Sequence, residues 1–486
     1  MLKKILIIIF TTTFSIAYGQ EQKTPISPCS FGMEEAKTDI ERFYALYNTH
    51  VAAIEQGVDV DYDGIDRLNI EIPADAKPIP LTSYNIFHSL VLNVRNNSKN
   101  FYLFRLSQPT DSIDVSKEQI DGGDFGTVKE LHTGKFLVVL QDNRLWVDQR
   151  QGYKYGHTRK DILLIEDGKA ANQPIMPYNT PETQPAVSYC PVTDDFKVIS
   201  DIVINRTPDS KFKTYCFDVK NQYNVELCDI IINTPKSELV ADNAIRITNC
   251  ADVTLEYVKI NETYSRKDYY GYGILMDNVW DSKIRNLTSH SDWGIFGTNN
   301  ISEALLENCN INRYDIHCYG RNATIRNCTF DNLYNQFSSM YGQLKFERCI
   351  FNKHIPVLIE STYNAYTPFD IEFDRCVFNI NGRCNYLVDA RTLSDIRNSR
   401  PEVADKNLPN ITLNNCIVNL FENTNRLYMF HFTHVHYTDT VGYLEQIYID
   451  NLKVHGGKVV LKVGNKDFKH NKLTFPMYNQ EVGDKK

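Results

Sequence analysis

The sequence predicts an all-β protein, a right-handed parallel β-helix solenoid with an N-terminal amphipathic capping helix. Three observations carry this: a short motif recurs through the second half of the chain, its copies alternate apolar and polar residues with period 2, and a well-capped amphipathic helix precedes them.

The motif reads apolar, any residue, usually Asn, Asp or Arg, then Cys or aliphatic, with another apolar residue two places on. Its fourth position falls at Ile202, Ile230, Val258, Leu287, Cys309, Cys328, Cys349, Cys376, Cys416 and Leu452. Two places on stand Ile204, Ile232, Ile260, Ile311, Phe330, Phe351, Phe378, Val418 and Val454, with Ser289 the exception. Successive copies lie 28, 28, 29, 22, 19, 21, 27, 40 and 36 residues apart, so the unit is a coil of about twenty residues carrying insertions of variable size. Coils of this kind stack from about Lys197 to Val454. Stacking places like residues above like, which turns Cys309 to Cys416 into an inward ladder of unpaired thiols. The Asn before several of these cysteines marks a turn, because Asn tolerates left-handed φ. Cys29 and Cys190 are the expected disulfide pair; Cys216 and Cys228 stay open.

A second strand per coil is read at Gly273-Ile274-Leu275-Met276, Gly294-Ile295-Phe296-Gly297 and Asp315-Ile316-His317-Cys318. Alternation then turns Ile274, Ile295 and Ile316 inward, with Leu275, Phe296 and His317 outward. Thr38 and Glu41 make a capping box, and Ile40, Phe43, Tyr44, Tyr47, Val51 and Ile54 form one apolar helix face that Gly57 closes. Such a helix covers the unpaired edge of the first coil. Residues 1–19 read as a signal peptide, 20–58 as the capping segment, 59–196 as early coils with β-rich excursions, 197–475 as regular coils and 476–486 as a tail. Residues 123–167 are read as early coils with hairpin excursions, Pro174 to Pro191 as a linker or lateral loop, and Arg391 to Asn410 as the largest insertion.

Lys3 and Lys4 before an apolar run ending at Ala17-Tyr18-Gly19 predict cleavage near Gln20 and a secreted or periplasmic protein without a membrane span. Net charge is −8, or −10 after Lys3 and Lys4 leave, which argues against nucleic acid as a partner. A local basic groove on an acidic body remains compatible with a polyanionic sugar. The protein is read as a monomer.

This pattern resembles the pectate-lyase-like superfamily of β-helices, and is most similar to secreted bacterial polysaccharide lyases and hydrolases, including lyases of chondroitin and hyaluronan. The chain departs from polygalacturonases in lacking their paired Asp-Asp with Gly-His-Gly. It also lacks the dense Asp cluster of the pectate-lyase calcium site. The resemblance implies a polysaccharide partner, anionic in the lyase reading, with no obligatory cofactor and calcium left open.

A uronate lyase must neutralise a carboxylate, remove the proton beside it and protonate the leaving oxygen. The segment 312–321 concentrates suitable residue types. His317, Tyr319, His290 and Arg313 are therefore the candidate catalytic residues, with Asp315, His317 and Tyr319 expected on one outward face. Tyr314, Asn335, Gln336, Trp293, Tyr341, His354 and Arg383 are candidate substrate contacts, as are Lys353 and tyrosines 269, 270, 272, 363, 366 and 386. A hydrolase on the same scaffold needs two carboxylates, which Asp292 with Asp315, or Glu360 with Asp389, would supply. A non-catalytic glycan binder is the third reading. His431, His434 and His436 do not suit tetrahedral zinc, since alternation splits them between faces.

Overall fold

The computed structural model describes residues 24–147, 157–180, 183, 185–207, 209–234, 243–263, 272–291, 294–317, 319–331, 334–338, 340–360, 369–381, 386–391, 410–421, 424, 426–433, 447–460 and 481–482. The expected signal segment, residues 392–409 and nearly all of the tail lie outside them.

Among the described residues thirty strands form one continuous parallel sheet wound into a β-helix, and five others form a separate antiparallel sheet. The winding gives three walls. On the first, the motif residues pair rung by rung: Ile204 with Ile232, Ile232 with Ile260, Ile260 with Ser289, Ile311 with Phe330, Phe330 with Phe351, Phe351 with Phe378, Phe378 with Val418 and Val418 with Val454. Every residue before the fourth motif position has positive φ, including Asn308, Asn327, Arg348, Arg375 and Asn415. That corner turns the chain between walls, and where Asn or Asp occupies it the short polar side chain lowers the cost. Cys309, Cys328, Cys349, Cys376 and Cys416 are buried free thiols. On the rungs before these cysteines an outward asparagine ladder runs through Asn69, Asn93, Asn205, Asn233 and Asn261, the last four each donating a side-chain N–H to the side-chain carbonyl of the preceding asparagine at 2.6–2.8 Å.

The helix Asp39–Gln56 has the expected capping box, with Thr38 and Glu41 bonded reciprocally and Gly57 left-handed at its end. It packs on the strand Arg67–Ile72, the end rung of the described solenoid. Its buried face is Phe43, Leu46, His50 and Ala53, about one position away from the predicted stripe, and Ile40 and Ile54 stay 40% and 45% exposed. The early rungs Arg67–Ile72, Tyr84–Asn96 and Phe101–Ser107 join the solenoid directly.

Residues 123–167 hold the expected hairpin, formed by Lys135–Val147 and His157–Glu166, but among the described residues they wind no early coil. Phe136 to Leu140 and Leu145 to Val147 wind no coil but belong to the strand Lys135–Val147 of the antiparallel sheet. The presumed linker contains Pro185–Pro191, another strand of that sheet, and Tyr178, which is fully buried. The sheet docks through Leu137, Val139, Ile162 and Leu164 onto Ala251, Tyr223 and Trp280 of the solenoid. Cys190 is a free thiol inside this seam, and Cys29 is also free, so the expected pair is not formed. The local reason is that Cys190 is held 3.8 Å from the Asn221 carbonyl by the docking itself.

Candidate functional site

The second wall holds most of the candidate residues. Its outward column runs Arg105, Asp218, Arg246, Leu275, Gly297, Asp315, Gln336, Leu358 and Asp389, one residue per rung. Ile274, Phe296 and Tyr314 form the adjacent inward column, so Phe296 faces the core and not solvent as predicted. Tyr314 is likewise core, packed edge-on against Phe296 at 5.7 Å, and cannot wall a sugar groove.

Arg313, Asp315 and His317 alternate outward on and beside the strand Tyr314–Ile316, yet only His317 reaches solvent, at 12% exposure against 1% and 0%. The cover is Tyr272. Its ring crosses Gly297: a Cβ there would lie 2.5 Å from Tyr272 Cδ2, and one at Gly294 would lie 3.1 Å from Arg313 Cδ. Two glycines thus leave the space through which a tyrosine from a lower rung reaches the rung of Asp315.

The Tyr272 hydroxyl stands 2.6 Å from Asp315 Oδ2 and 2.9 Å from His317 Nε2. Arg313 Nε approaches the same Oδ2 at 2.5 Å, the Gln336 backbone N–H donates to Oδ1 at 2.9 Å, and His317 Nε2 is 3.4 Å from the carboxylate. Arg313 also donates to Gln336 Oε1 at 3.2 Å and lies over the Tyr334 ring at 4.2 Å. Burial alone would raise the Asp315 carboxyl. The Arg313 guanidinium, with help from His317, outweighs that and holds it below its ordinary value. Asp315 is therefore a fixed, sealed negative charge.

The remaining candidates fall elsewhere. Tyr319 is fully buried at the next corner, where its hydroxyl donates to the Lys160 carbonyl at 2.5 Å and pins the antiparallel sheet, so it does not share the face of His317. Tyr341 packs in the same corner cluster with Tyr319 and Ile175. Arg313 is buried beneath Asp315 and positions that carboxylate without meeting a substrate. Asn335 is buried and accepts the Tyr314 N–H at 2.9 Å, a structural bond. Gln336 does share the Asp315 column but is 2% exposed. His354 is fully buried against Phe330 and Phe351, with burial pushing its pKa down to about 3, so it touches no polymer. His290 lies on the first wall, its backbone paired with Asn261, away from the strand of His317. Its side chain, Trp293 and Arg383 lie outside the described residues, as do Asp292, His434 and His436. Among the described residues no group of three or more His, Cys, Asp or Glu is arranged to hold a metal ion.

Sequence reasoning named Tyr272 only as a loop contact and missed its partnership with His317. The signal was present in Gly294 and Gly297, two glycines inside one strand.

No family model matches the chain, and no curated protein sequence matches it. Among solved structures, the Gp54 tailspike of Acinetobacter baumannii bacteriophage AP22, determined in complex with A. baumannii capsular saccharide, is similar with TM-score 0.51 and 13% identity. That match covers 90% of this chain and 69% of the tailspike. The tailspike gp49 of Pseudomonas phage LKA1 aligns with TM-score 0.49 and 12% identity, over 89% of this chain and 77% of its own. The first likeness shows a shared parallel β-helix fold.

Proposed function

We propose that this protein is a secreted polysaccharide-degrading enzyme, a lyase of the pectate-lyase-like type that cleaves a uronate-containing glycan by β-elimination at His317. One observation carries the reading: at this site an imidazole and a phenol share a hydrogen bond at the surface, while the carboxylate beside them is buried and paired with a guanidinium. A hydrolase needs a carboxyl that meets substrate and exchanges protons. Asp315 does neither, and the Glu360 side chain and Asp292 lie outside the described residues. An elimination needs a proton carrier instead.

In this scheme His317 Nε2–H donates to Tyr272, whose hydroxyl donates to Asp315, which leaves Nδ1 as the basic ring nitrogen. Nδ1 takes the proton beside the uronate carboxyl, and the ionised Asp315 stabilises the imidazolium. The imidazolium then protonates the departing glycosidic oxygen. The saccharide in the AP22 tailspike structure supports a glycan on this fold.

The test is a panel of glycosaminoglycans, alginate and pectins followed both by ultraviolet absorbance of unsaturated uronate and by new reducing ends. We expect both signals from at least one polymer, and a loss of about 10²-fold or more in kcat for His317→Ala. Reducing ends without absorbance would establish hydrolysis in its place. Binding without turnover would establish a glycan-binding protein.

A further inference from the structure

Below the reaction centre, the same outward column of the second wall changes character. Arg105, Asp218 and Arg246 occupy successive rungs, and Lys220 is exposed on the next outward position of the Asp218 strand. Tyr102 and Tyr215 stack beside them with ring centroids 4.6 Å apart. Both arginines gather round Tyr102: Arg105 Cζ lies 5.6 Å and Arg246 Cζ 6.0 Å from the ring centroid, and Arg246 Nη1 donates to the Tyr102 hydroxyl at 2.8 Å.

The charges do not cancel. Asp218 is satisfied by Arg105 Nε at 2.8 Å, so a second arginine is not needed to neutralise it. Among the described residues the terminal nitrogens of Arg105 take no hydrogen bond, and Arg246 uses only Nη1. Arg105 is 39% exposed, and Arg246 is partly exposed. On a chain of net charge −8 this is a local excess of positive charge, held in place by an aromatic stack. Planar guanidinium groups with uncommitted donors match carboxylate and sulfate groups.

We infer that Arg105 and Arg246, framed by Tyr102 and Tyr215, form a subsite for an acidic sugar residue remote from the reaction centre. The inference rests on the proposed glycan-lyase reading and adds to it where the polymer's charge is recognised. Arg246 is three rungs and Arg105 five rungs below Asp315, about 14 and 24 Å along the axis. A polymer lying along this wall passes both places, several sugar units apart. The subsite therefore acts on long chains and is out of reach of short ones.

Affinity electrophoresis through gels holding polygalacturonate, alginate, hyaluronan, chondroitin sulfate or neutral dextran tests this with the whole protein. The parent should be retarded in at least one acidic gel, not in dextran, with retardation lost in high salt. Arg246→Gln should weaken retardation several-fold. So should Arg105→Gln made together with Asp218→Asn, which leaves no buried carboxylate uncompensated. Arg246→Lys should keep most of it, and thermal melts matching the parent qualify each variant. No retardation of the parent in any acidic gel, or undiminished retardation of both variants, overturns the subsite. The two proposals fail separately. Retardation lost in the variants without turnover by the parent sinks the elimination alone, whereas cleavage with an unchanged KM in both variants sinks the subsite alone.

Discussion

Asp315 sits in a place where a lone carboxylate would be costly, by several kcal/mol, and Arg313 makes it tolerable. Removing the partner is worse than removing the pair. Arg313→Met should destabilise the protein by about 3–5 kcal/mol, seen as a lower denaturant midpoint, whereas Arg313→Met with Asp315→Leu should recover most of that loss. Gly297→Ala tests the cover. Its methyl meets the Tyr272 ring and not a flexible chain end, so the ring must leave the rung of Asp315. Activity should fall about tenfold or more while the melting temperature changes little, and an unaltered rate would show that Tyr272 is not needed by His317. At this scale the sequence was only partly legible. The type of residue at 313, 315 and 317 was readable from alternation, but burial was not, because it depends on a tyrosine two rungs down crossing a glycine. Tyr314, Tyr319 and His354 were misassigned for other reasons: corners break the period-2 rule at Tyr319, and aromatic or imidazole side chains fill the core as readily as they line a groove.

Single elements tie the solenoid together at its cap and corners, and two of them do so with buried histidines. His50 joins the capping helix to the Tyr62 hydroxyl at 2.5 Å, and His354 bonds the Asn312 carbonyl at 3.1 Å beneath Arg313. Burial lowers both to about 3. The unfolded chain binds a proton on each near pH 6.5, while the folded chain stays neutral until about pH 3. Stability is therefore whole above pH 6.5 and is lost as pH falls towards 3, at about 1.4 kcal/mol per pH unit for each histidine. Denaturant midpoints measured from pH 7 to pH 4 should show this slope. His354→Gln, which keeps a donor for Asn312 but does not titrate, should make it shallower, and a pH-independent midpoint in the parent would refute the account. Elements were the most legible level of this chain. The motif register matched because an inward position, a left-handed turn and an alternating strand each constrain residue type independently. The hairpin within residues 123–167 was expected, but not that it and Pro185–Pro191 form a separate sheet in place of coils, because these strands have the same composition as coil strands and nothing local says whether a strand pairs with its neighbour or with a rung twenty residues away.

Across the whole molecule, stability follows from stacking, since each rung contacts mainly the rungs beside it. Such a stack is weakest at its ends, and the two sides of this one are supported differently. The antiparallel sheet clamps a corner of the middle rungs through Lys160 to Asp277, Tyr319 to Lys160 and Arg321 to Pro174. The end rung Arg67–Ile72 pairs with one strand only among the described residues and relies on the helix for cover. Phe43 and Leu46 are the large, fully buried hydrophobes of the helix face. Truncating both to Ala removes about 5–8 kcal/mol of packing if the sites do not collapse. In a globular core that loss would lower protection everywhere. In this solenoid it should open one end first, so amide exchange should rise sharply in residues 67–107 while the rungs from Ile284 to Phe351 keep most of their protection. Light scattering should grow with protein concentration as the bared strand edge pairs with another chain. The proposed centre at His317 lies many rungs away, so any turnover it supports should persist at low concentration after the cap has loosened. Uniform loss of protection along the chain would mean that cap and clamp act as one cooperative unit, and that the rungs between them cannot fray alone.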